Sequence, residues 1–234
     1  AQVEKLTLAG AGNINGTGNT LGNIITGNAG DNTLDGADGT DTLAGGLGND
    51  TFVSDLVLSN GVIKLQDKMT EAANAGNDTL LLRSGTIVTA AASTLTLAAN
   101  IETLDASQPG ITRINLTGNA LANTLAGNDA ANILTGGMGS DVLQGGLGDD
   151  TYRFAKGDGI DLVAEAGGND RIVFSGALLS AATFNQYDDD LLIRIGTTTD
   201  FVRVTGFFAS PSAAIEQFEF GNTVVDANYV ETHL

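Results

Sequence analysis

Residues 136–153 are GGMGSDVLQ followed directly by GGLGDDTYR, two copies of one nine-residue pattern. The pattern occurs again at 45–53, and 36–44 is a further copy with Ala37 in the second glycine place. Each copy joins a glycine-rich stretch that ends in aspartate to three residues whose middle side chain is apolar. Glycine permits positive φ and close backbone approach, and alternation in a short strand buries one face. The period therefore predicts a repeated unit of one turn and one strand.

The eighth position of the unit is apolar throughout two arrays. It is Ile25, Leu34, Leu43 and Phe52 in the first array and Leu125, Leu134, Leu143 and Tyr152 in the second. Two units make one coil of eighteen residues, so equivalent turns stack and the apolar side chains form an inner row. The sequence predicts an all-β fold, a parallel β-roll (β-solenoid).

The sixth position changes along each array. It is Asn23, Asn32, Asp41 and Asp50 in the first array and Asn123, Asn132, Asp141 and Asp150 in the second. Stacked carboxylates repel one another unless a cation lies between them, and Ca²⁺ accepts about six to eight oxygen ligands at flexible geometry. Asparagine is neutral and can form a hydrogen-bonded ladder. We therefore expect asparagine turns that need little or no metal, followed by calcium turns.

A longer period relates two modules of about 100 residues, which indicates an array protein. Asp-x-x-x-Glu-Ala follows both arrays, at 67–72 and at 161–166. We predict a first β-roll module with a strand-rich connector (1–100), a second β-roll module (101–173) and a C-terminal segment (174–234).

Apolar stretches at 191–195, 201–204 and 218–220 predict antiparallel strands that cap the open end of the roll. Short helices are the prediction for 68–75 and 209–215, and strands for 62–65, 79–89 and 93–104.

Composition limits the classes of partner. The net charge is −18, so nucleic acid, which needs basic patches, is not an expected partner. The chain has no cysteine, which excludes disulfides and thiol chemistry. No run of about eighteen apolar residues occurs, so no membrane span is expected. Residues 1–10 lack the regions of a signal peptide and resemble the middle of a repeat, so we expect the chain to be part of a longer polypeptide.

These repeats resemble those of RTX, or haemolysin-type, calcium-binding proteins, which leave bacteria through a type I secretion channel; the nonapeptide is a known calcium-binding signature. The segment from Gly157 onward, including 215–220, resembles the C-terminal region of such proteins. The resemblance implies several bound Ca²⁺ ions and a secreted, extracellular or cell-surface location. It also implies two partners, the type I secretion machinery during export and the remainder of a larger polypeptide.

The resemblance further implies which groups hold calcium: turn carbonyls, and the sixth-position carboxylates of two turns one coil apart. Carried over to the first module, the metal ligands are Asn28, Gly30, Asn32, Gly36, Ala37, Asp38, Gly39, Asp41, Gly45, Gly46, Leu47, Gly48, Asp50, Glu71 and Asp78. In the second module they are Gly136, Gly137, Met138, Gly139, Asp141, Gly145, Gly146, Leu147, Gly148, Asp150, Lys156, Asp158, Asp161, Glu165 and Asp170. Turns with asparagine on one side lack one carboxylate and are expected to bind weakly.

The leading interpretation is an extracellular calcium-binding module, not an enzyme, that folds on Ca²⁺ binding and supports the secretion and stability of a larger protein. An alternative is the accessory repeat region of a secreted protease, lipase or polysaccharide-active enzyme. The only histidine of this chain, His233, lies near the end of the sequence, which argues against a histidine-based catalytic site here. A third interpretation is an ice- or ligand-binding solenoid, because the seventh position includes Thr33, Thr42 and Thr51.

Overall fold

The computed structural model describes residues 3–83, 87, 91–108, 110, 112–197, 199–209 and 215–234. The regular secondary structure of this part of the chain consists of short strands, a 3-10 turn at Leu179–Ala181 and one α-helix, α1, at Ala227–Glu231. The predicted all-β class is therefore confirmed. Among the described residues, no helix is long and apolar enough to cross a membrane.

Three groups of strands follow one another along the chain. The first group is β1 (Lys5–Thr7), β2 (Gly16–Thr17), β3 (Ile24–Thr26), β4 (Thr33–Asp35), β5 (Thr42–Ala44), β6 (Thr51–Ser54), β7 (Leu56–Ser59), β8 (Val62–Leu65), β9 (Lys68–Thr70) and β10 (Thr79–Leu82). The second is β11 (Ser93–Thr96), β12 (Thr103–Asp105), β13 (Ile114–Thr117), β14 (Thr124–Ala126), β15 (Ile133–Thr135), β16 (Val142–Gln144), β17 (Thr151–Phe154), β18 (Ile160–Ala164) and β19 (Arg171–Phe174). The third is β20 (Ala182–Tyr187), β21 (Asp190–Ile195), β22 (Phe201–Val204), β23 (Gln217–Phe220) and β24 (Thr223–Asp226).

Pairing within the arrays is parallel and joins every second strand. Ile25 lies opposite Leu43, and Leu34 lies opposite Phe52. Each of these pairs is eighteen residues apart, which is the predicted coil. All eight side chains at the eighth position have an exposed fraction of 0%, so the inner row predicted from the period is the core of the roll.

One face of the roll is continuous and the other is divided. The continuous sheet has the order β2-β4-β6-β10-β12-β14-β16-β18-β22-β21-β20. The opposite face consists of two sheets, β1-β3-β5-β9 and β11-β13-β15-β17-β19-β23-β24. The antiparallel hairpin β7–β8 precedes this division in the chain, and Ile63 of β8 donates its backbone N–H to Ser93 Oγ at 2.8 Å.

The division changes the face on which the arrays begin. The first complete array strand, β3, lies on the divided face, whereas its equivalent in the second module, β14, lies in the continuous sheet. The connector thus shifts the second array by half a coil. The continuous sheet joins strands on both sides of residue 100, as β10 and β12, and on both sides of residue 173, as β18 and β22. The proposed domain boundaries therefore stay predictions.

The C-terminal segment first extends both faces and then ends them. Strand β22 pairs in parallel with β18, and β23 pairs in parallel with β19. Antiparallel pairing follows only afterwards, as β20–β21–β22 and β23–β24. The predicted strands at 201–204 and 218–220 are therefore antiparallel on one side only. A stack of aromatic rings closes this end of the core, with ring centroids 5.0 Å apart for Phe174 and Phe220 and 6.1 Å apart for Phe184 and Phe220.

The predicted helix at 68–75 is wrong. Residues Lys68–Thr70 form β9, where Met69 pairs with Leu43, and no helix follows in 71–75. Pairing with the coil below overrides a weak local helix signal. In the predicted helix at 209–215, residues 210–214 lie outside the described residues. Of the predicted strand at 79–89, Thr79–Leu82 is strand, while 84–86 and 88–90 lie outside the described residues.

The aromatic stack generates a first prediction. Phe220 has an exposed fraction of 0%, so Phe220→Ala removes a fully buried ring and is expected to lower the free energy of unfolding by about 3–5 kcal/mol. Val224 in the neighbouring strand is 56% exposed, and Val224→Ala should change that free energy by less than about 0.5 kcal/mol. Denaturant unfolding of both variants in calcium tests this. Similar losses for both variants would contradict the closing role of the stack.

Candidate calcium centre

The side chains at the sixth position form a hydrogen-bonded ladder along the roll. Asn32 donates its backbone N–H to Asp50 Oδ1 at 2.8 Å, and Asp50 donates its own N–H to Asp78 Oδ1 at 2.7 Å. The second module repeats this with Asn132 to Asp150 at 2.7 Å and Asp150 to Asp170 at 2.8 Å. Each side chain thereby fixes the turn one coil below it.

A glutamate ends the ladder that contains Asp50 and the ladder that contains Asp150. Asp78 donates its N–H to Glu102 Oε2 at 2.7 Å, and Asp170 donates its N–H to Glu216 Oε2 at 2.6 Å. The residue after each glutamate pairs with the same aspartate, because the backbone N–H groups of Thr103 and Gln217 donate to the carbonyls of Asp78 and Asp170. The two modules therefore end in the same junction.

The asparagine turns are satisfied by the protein itself. Asn32 Oδ1 accepts the N–H of Asn28 at 2.8 Å, and Asn32 Nδ2 donates to the carbonyl of Ile14 at 2.8 Å. In the second array, Asn132 Nδ2 donates to the carbonyl of Ile114 at 2.6 Å. An amide has one acceptor and two donors, and these contacts use both kinds of group. Nothing in these turns requires a cation.

The aspartate turns leave buried oxygens without a donor. Each aspartate uses Oδ1 in the ladder, while Oδ2 points into the turn. Among the described residues, the buried side-chain atoms that lack a hydrogen-bond partner are all carboxylate oxygens: Asp41 Oδ2, Asp50 Oδ2, Glu71 Oε2, Asp78 Oδ2, Asp141 Oδ2, Asp150 Oδ2 and Asp170 Oδ2. Burying a charge without a partner costs free energy, so we expect each of these oxygens to bind a cation or a proton.

Six of the predicted ligands meet in two groups. Cluster 1 is Asp50, Glu71 and Asp78, and cluster 2 is Asp150, Glu165 and Asp170; in each, one carboxylate oxygen per residue lies within 4.8 Å of the others. The glutamate of each cluster follows β9 or β18, one coil beyond the first glycine of the turn. A Cβ at Gly45 would collide with carboxylate oxygens of Glu71 and Asp50, which explains glycine at this position.

A third pair of aspartates lies half a coil away from cluster 2. Asp141 donates its N–H to Asp161 Oδ1 at 3.0 Å, and Gly139 donates its N–H to the carbonyl of Asp158 at 2.8 Å. The carboxylate of Asp158 accepts the N–H of Ala155 at 2.6 Å. The structure thus brings the predicted turn 136–141 against Asp158 and Asp161.

At the corresponding turn of the first module, side chains of the protein donate hydrogen bonds. Asp41 donates its N–H to Asp67 Oδ1 at 3.0 Å, and Asp67 Oδ2 accepts the hydroxyl of Ser54 at 2.8 Å. The side-chain amide of Gln66 donates to the carbonyl of Gly39. In the second module, the places of Ser54 and Gln66 are taken by Phe154 and Ile160, which offer no donor. The Asp41 turn is therefore partly satisfied without metal.

Other predicted ligands can contribute only backbone groups or lie apart. The side chains of Leu47, Met138 and Leu147 are 57%, 61% and 52% exposed, so only their carbonyls are available to a turn. Asp38 and Lys156 are exposed. Ala37 adopts φ 65°, the left-handed region, and thus replaces glycine without changing the turn. The remaining predicted ligands are the turn glycines and the two asparagines: Asn28, Gly30, Asn32, Gly36, Gly45, Gly46, Gly48, Gly136, Gly137, Gly145, Gly146 and Gly148.

Sequence reasoning missed four contributors to this architecture. Asp67 matches Asp161 in the repeated Asp-x-x-x-Glu-Ala pattern, which could have identified it. Glu102 and Glu216 share the sequence Ile-Glu-x-Leu/Phe, a signal of the junction at which each ladder ends. Tyr152 was predicted only as a core residue, yet its hydroxyl donates to Glu165 Oε2.

Burial changes the acidity of these carboxyl groups. It raises the pKa of Asp78 and Asp141 to about 6 and that of Asp150, Asp161 and Asp170 to about 7. The backbone N–H in the ladder opposes this effect, and neighbouring carboxylates add to it, as Glu165 does for Asp150. Burial also raises the pKa of Asp41, Asp50 and Glu71. The charged forms are thus disfavoured until positive charge is supplied.

The donor set fits Ca²⁺. It consists of buried carboxylate oxygens, with turn carbonyls beside them, and hard oxygen ligands are those that Ca²⁺ prefers. The turns approach one another closely: a Cβ on Gly46 would meet the carbonyl of Asn28. A cation in either cluster would find three carboxylates, of which two have exposed fractions of 1% or less.

Two family models agree with this chemistry. The family model of the RTX calcium-binding nonapeptide repeat (4 copies) matches residues 17–52 and 117–152. That of the haemolysin-type calcium binding protein related domain matches residues 190–229. No curated protein matches the chain. Among solved structures, the extracellular lipase LipA from Serratia marcescens is similar with 20% identity and a TM-score of 0.30 over 85% of this chain and 39% of the lipase chain. The chain thus spans less than half of that lipase.

The raised pKa values predict how the calcium-free protein responds to pH. The folded chain keeps protons on Asp150 and Asp170 up to about pH 7, whereas the unfolded chain releases them near the ordinary value of 3.8. Between these values the folded state binds more protons, so the free energy of unfolding falls as pH rises. In chelator, we expect the melting temperature to drop by roughly 5 °C or more from about pH 5 to about pH 8.

Melting curves in chelator across this range test the prediction. The double variant Asp150→Asn/Asp170→Asn lacks the two titrating groups and should show a weaker dependence on pH. A wild-type melting temperature that is constant or rises over this range would contradict it.

Proposed function

We propose that this chain of RTX calcium-binding repeats is an extracellular module that folds when it binds Ca²⁺ and thereby supports the secretion and stability of a larger protein. The observation that carries the proposal is the set of seven buried carboxylate oxygens without donors. They lie in a chain whose net charge is already −18. Without cations, folding brings these charges together in an environment with little water.

The chain's own residues define where ions are held. Clusters 1 and 2 each offer three carboxylates, and the Asp141–Asp161 pair offers two more. Bound Ca²⁺ supplies the positive charge that neutralises carboxylates of neighbouring coils. The ladder holds each aspartate by one oxygen and leaves the other for the ion, while the turn glycines let the backbone approach it. We propose weaker binding at the Asp41 turn, because Gln66 and Ser54 already donate there.

Coupling of binding to folding supports the proposed role in export. Oxygens from two coils form one site only when the coils are stacked, so the free energy of binding becomes free energy of folding. Ca²⁺ is scarce in the bacterial cytosol and abundant outside the cell. A chain that is unfolded inside and folded outside suits passage through a type I secretion channel. The proposed partners are that machinery and the rest of a larger polypeptide, and no catalytic role is assigned to this chain.

A second candidate function rests on one row of side chains. In the continuous sheet, five threonines of successive strands are paired in line: Thr33, Thr51, Thr79, Thr103 and Thr124. Such a row, at the strand spacing of about 4.8 Å, is what a solenoid that binds ice or carbohydrate would present. The neighbouring row is mixed: Asp35, Val53, Leu81, Asp105 and Ala126. Thermal hysteresis of the purified chain tests ice binding, and its absence would eliminate that function.

The leading proposal predicts different effects for two adjacent aspartates. Asp150→Asn removes a buried carboxylate from cluster 2 and should lower both the number of bound calcium ions and the melting temperature in calcium. Asp149 is exposed, so Asp149→Asn makes the same change in charge one residue away and should leave both nearly unchanged. Calorimetric titration and melting curves with and without chelator measure these effects.

Two outcomes would contradict the proposal. Calcium that changes neither the β-structure seen by circular dichroism nor the melting temperature would overturn metal-coupled folding. Equal effects of Asp150→Asn and Asp149→Asn would show that binding is not localised in the turns. In the same titration, Asp41→Asn should reduce calcium binding less than Asp150→Asn.

A further inference from the structure

Clusters 1 and 2 share their carboxylates but differ in one neighbouring hydroxyl group. Both have a buried aspartate from the array, a glutamate and an aspartate one coil away. The core residue two positions after the array aspartate is Phe52 beside cluster 1 and Tyr152 beside cluster 2, and both rings have an exposed fraction of 0%. The two modules therefore form a natural comparison of the same site with and without a phenol.

The Tyr152 hydroxyl joins the turn to the glutamate ligand. It accepts the backbone N–H of Gly145 at 2.9 Å and donates to Glu165 Oε2. The other oxygen, Glu165 Oε1, accepts the N–H of Ala166 at 2.7 Å. Both oxygens of Glu165 thus have a donor that fixes the plane of the carboxylate.

Cluster 1 has only half of this arrangement. Glu71 Oε1 accepts the N–H of Ala72 at 2.7 Å, which corresponds to the bond at Ala166. Glu71 Oε2 is buried and has no hydrogen-bond partner. Phe52 cannot donate a hydrogen bond, and the backbone N–H groups of Gly45 and Gly46 lie near Glu71 without completing one at normal geometry. Glu71 is therefore held less firmly than Glu165, which has a donor on each oxygen.

We infer that Tyr152 is a positioning residue for calcium: it holds Glu165 toward Asp150 and Asp170 before an ion arrives, so that cluster 2 binds Ca²⁺ more tightly than cluster 1. This inference rests on the proposed function. Groups behind a metal ligand fix its orientation, and their loss typically costs about 10–100-fold in metal affinity. A ligand that is already oriented also loses less conformational entropy on binding.

Single substitutions in the full chain test the inference by exchanging the two residues. Tyr152→Phe installs the residue that the first module already has in its core, and should weaken one class of site by about tenfold or more without changing the number of bound ions. Phe52→Tyr should tighten the class that belongs to cluster 1. Calorimetric titration with Ca²⁺ measures both.

One further measurement separates positioning from a merely structural role, and a second tests whether an ion binds beside Tyr152. In a chain that carries Glu165→Gln, the further change Tyr152→Phe should not alter calcium affinity, because the group that it orients is gone. Tb³⁺ serves as a luminescent probe, since the chain has three tyrosines and no tryptophan. Emission excited through tyrosine should be strong in the wild type, weak in Tyr152→Phe and restored in the double variant Phe52→Tyr/Tyr152→Phe.

The outcomes distinguish this inference from the proposed function. If the wild type binds calcium and Tyr152→Phe binds it with the same affinity, the positioning role is overturned and the proposed function stands. An equal loss from Tyr152→Phe with and without Glu165→Gln also overturns it, since the effect is then structural. A wild type that binds no calcium overturns both.

Discussion

The structure depends on one hydrogen bond that is repeated along the roll, from the backbone N–H of a sixth-position residue to the carboxylate of the equivalent residue one coil later. This bond sets the stacking of the turns and uses one oxygen of each aspartate. In six of these aspartates the other oxygen is buried and has no protein donor: Asp41, Asp50, Asp78, Asp141, Asp150 and Asp170. Stacking and metal affinity therefore have the same origin, because the bond that aligns the coils also creates the charge that must be neutralised.

The choice between asparagine and aspartate divides each array into two kinds of coil. The side-chain amide of asparagine accepts a backbone N–H of its own turn and donates to a carbonyl of the coil below, so its turn closes without help. Aspartate gives a stronger acceptor but brings a charge whose burial raises the pKa of Asp150 to about 7. Asn32 and Asn132 thus lie directly below Asp50 and Asp150 and provide neutral coils on which the charged coils rest. In both modules the neutral asparagine turns come before the charged aspartate turns, which indicates that this order is a property of the repeated module.

The repeated sequence made much of the fold and of the calcium clusters predictable. The segments inserted between the repeats made the remaining features unpredictable. The nine-residue period specified the core row from Ile25 to Phe52, the coil length and the array aspartate of each cluster. The other carboxylates of the two clusters were implied by the resemblance to RTX proteins and not by the period. It could not specify the change of face between modules, which results from the hairpin 56–65 and the connector. It also missed the threonine row, because Thr79 and Thr103 lie outside the repeats and join Thr33 and Thr51 only through pairing in space. The weak helix signal at 68–75 failed because Met69 is held by the strand below it.

The junction at Glu102 has a consequence for how such a protein can grow. The glutamate ends one ladder with its side chain, and its carbonyl accepts the N–H of Thr124, which begins the next array. At the opposite end, the carbonyl of Glu4 accepts the N–H of Ile24 in the same way. A gene duplication that copies the segment between these two glutamates would therefore insert a whole module whose two ends already match its neighbours. Length can then evolve, or be engineered, in steps of about 100 residues without the invention of a new interface.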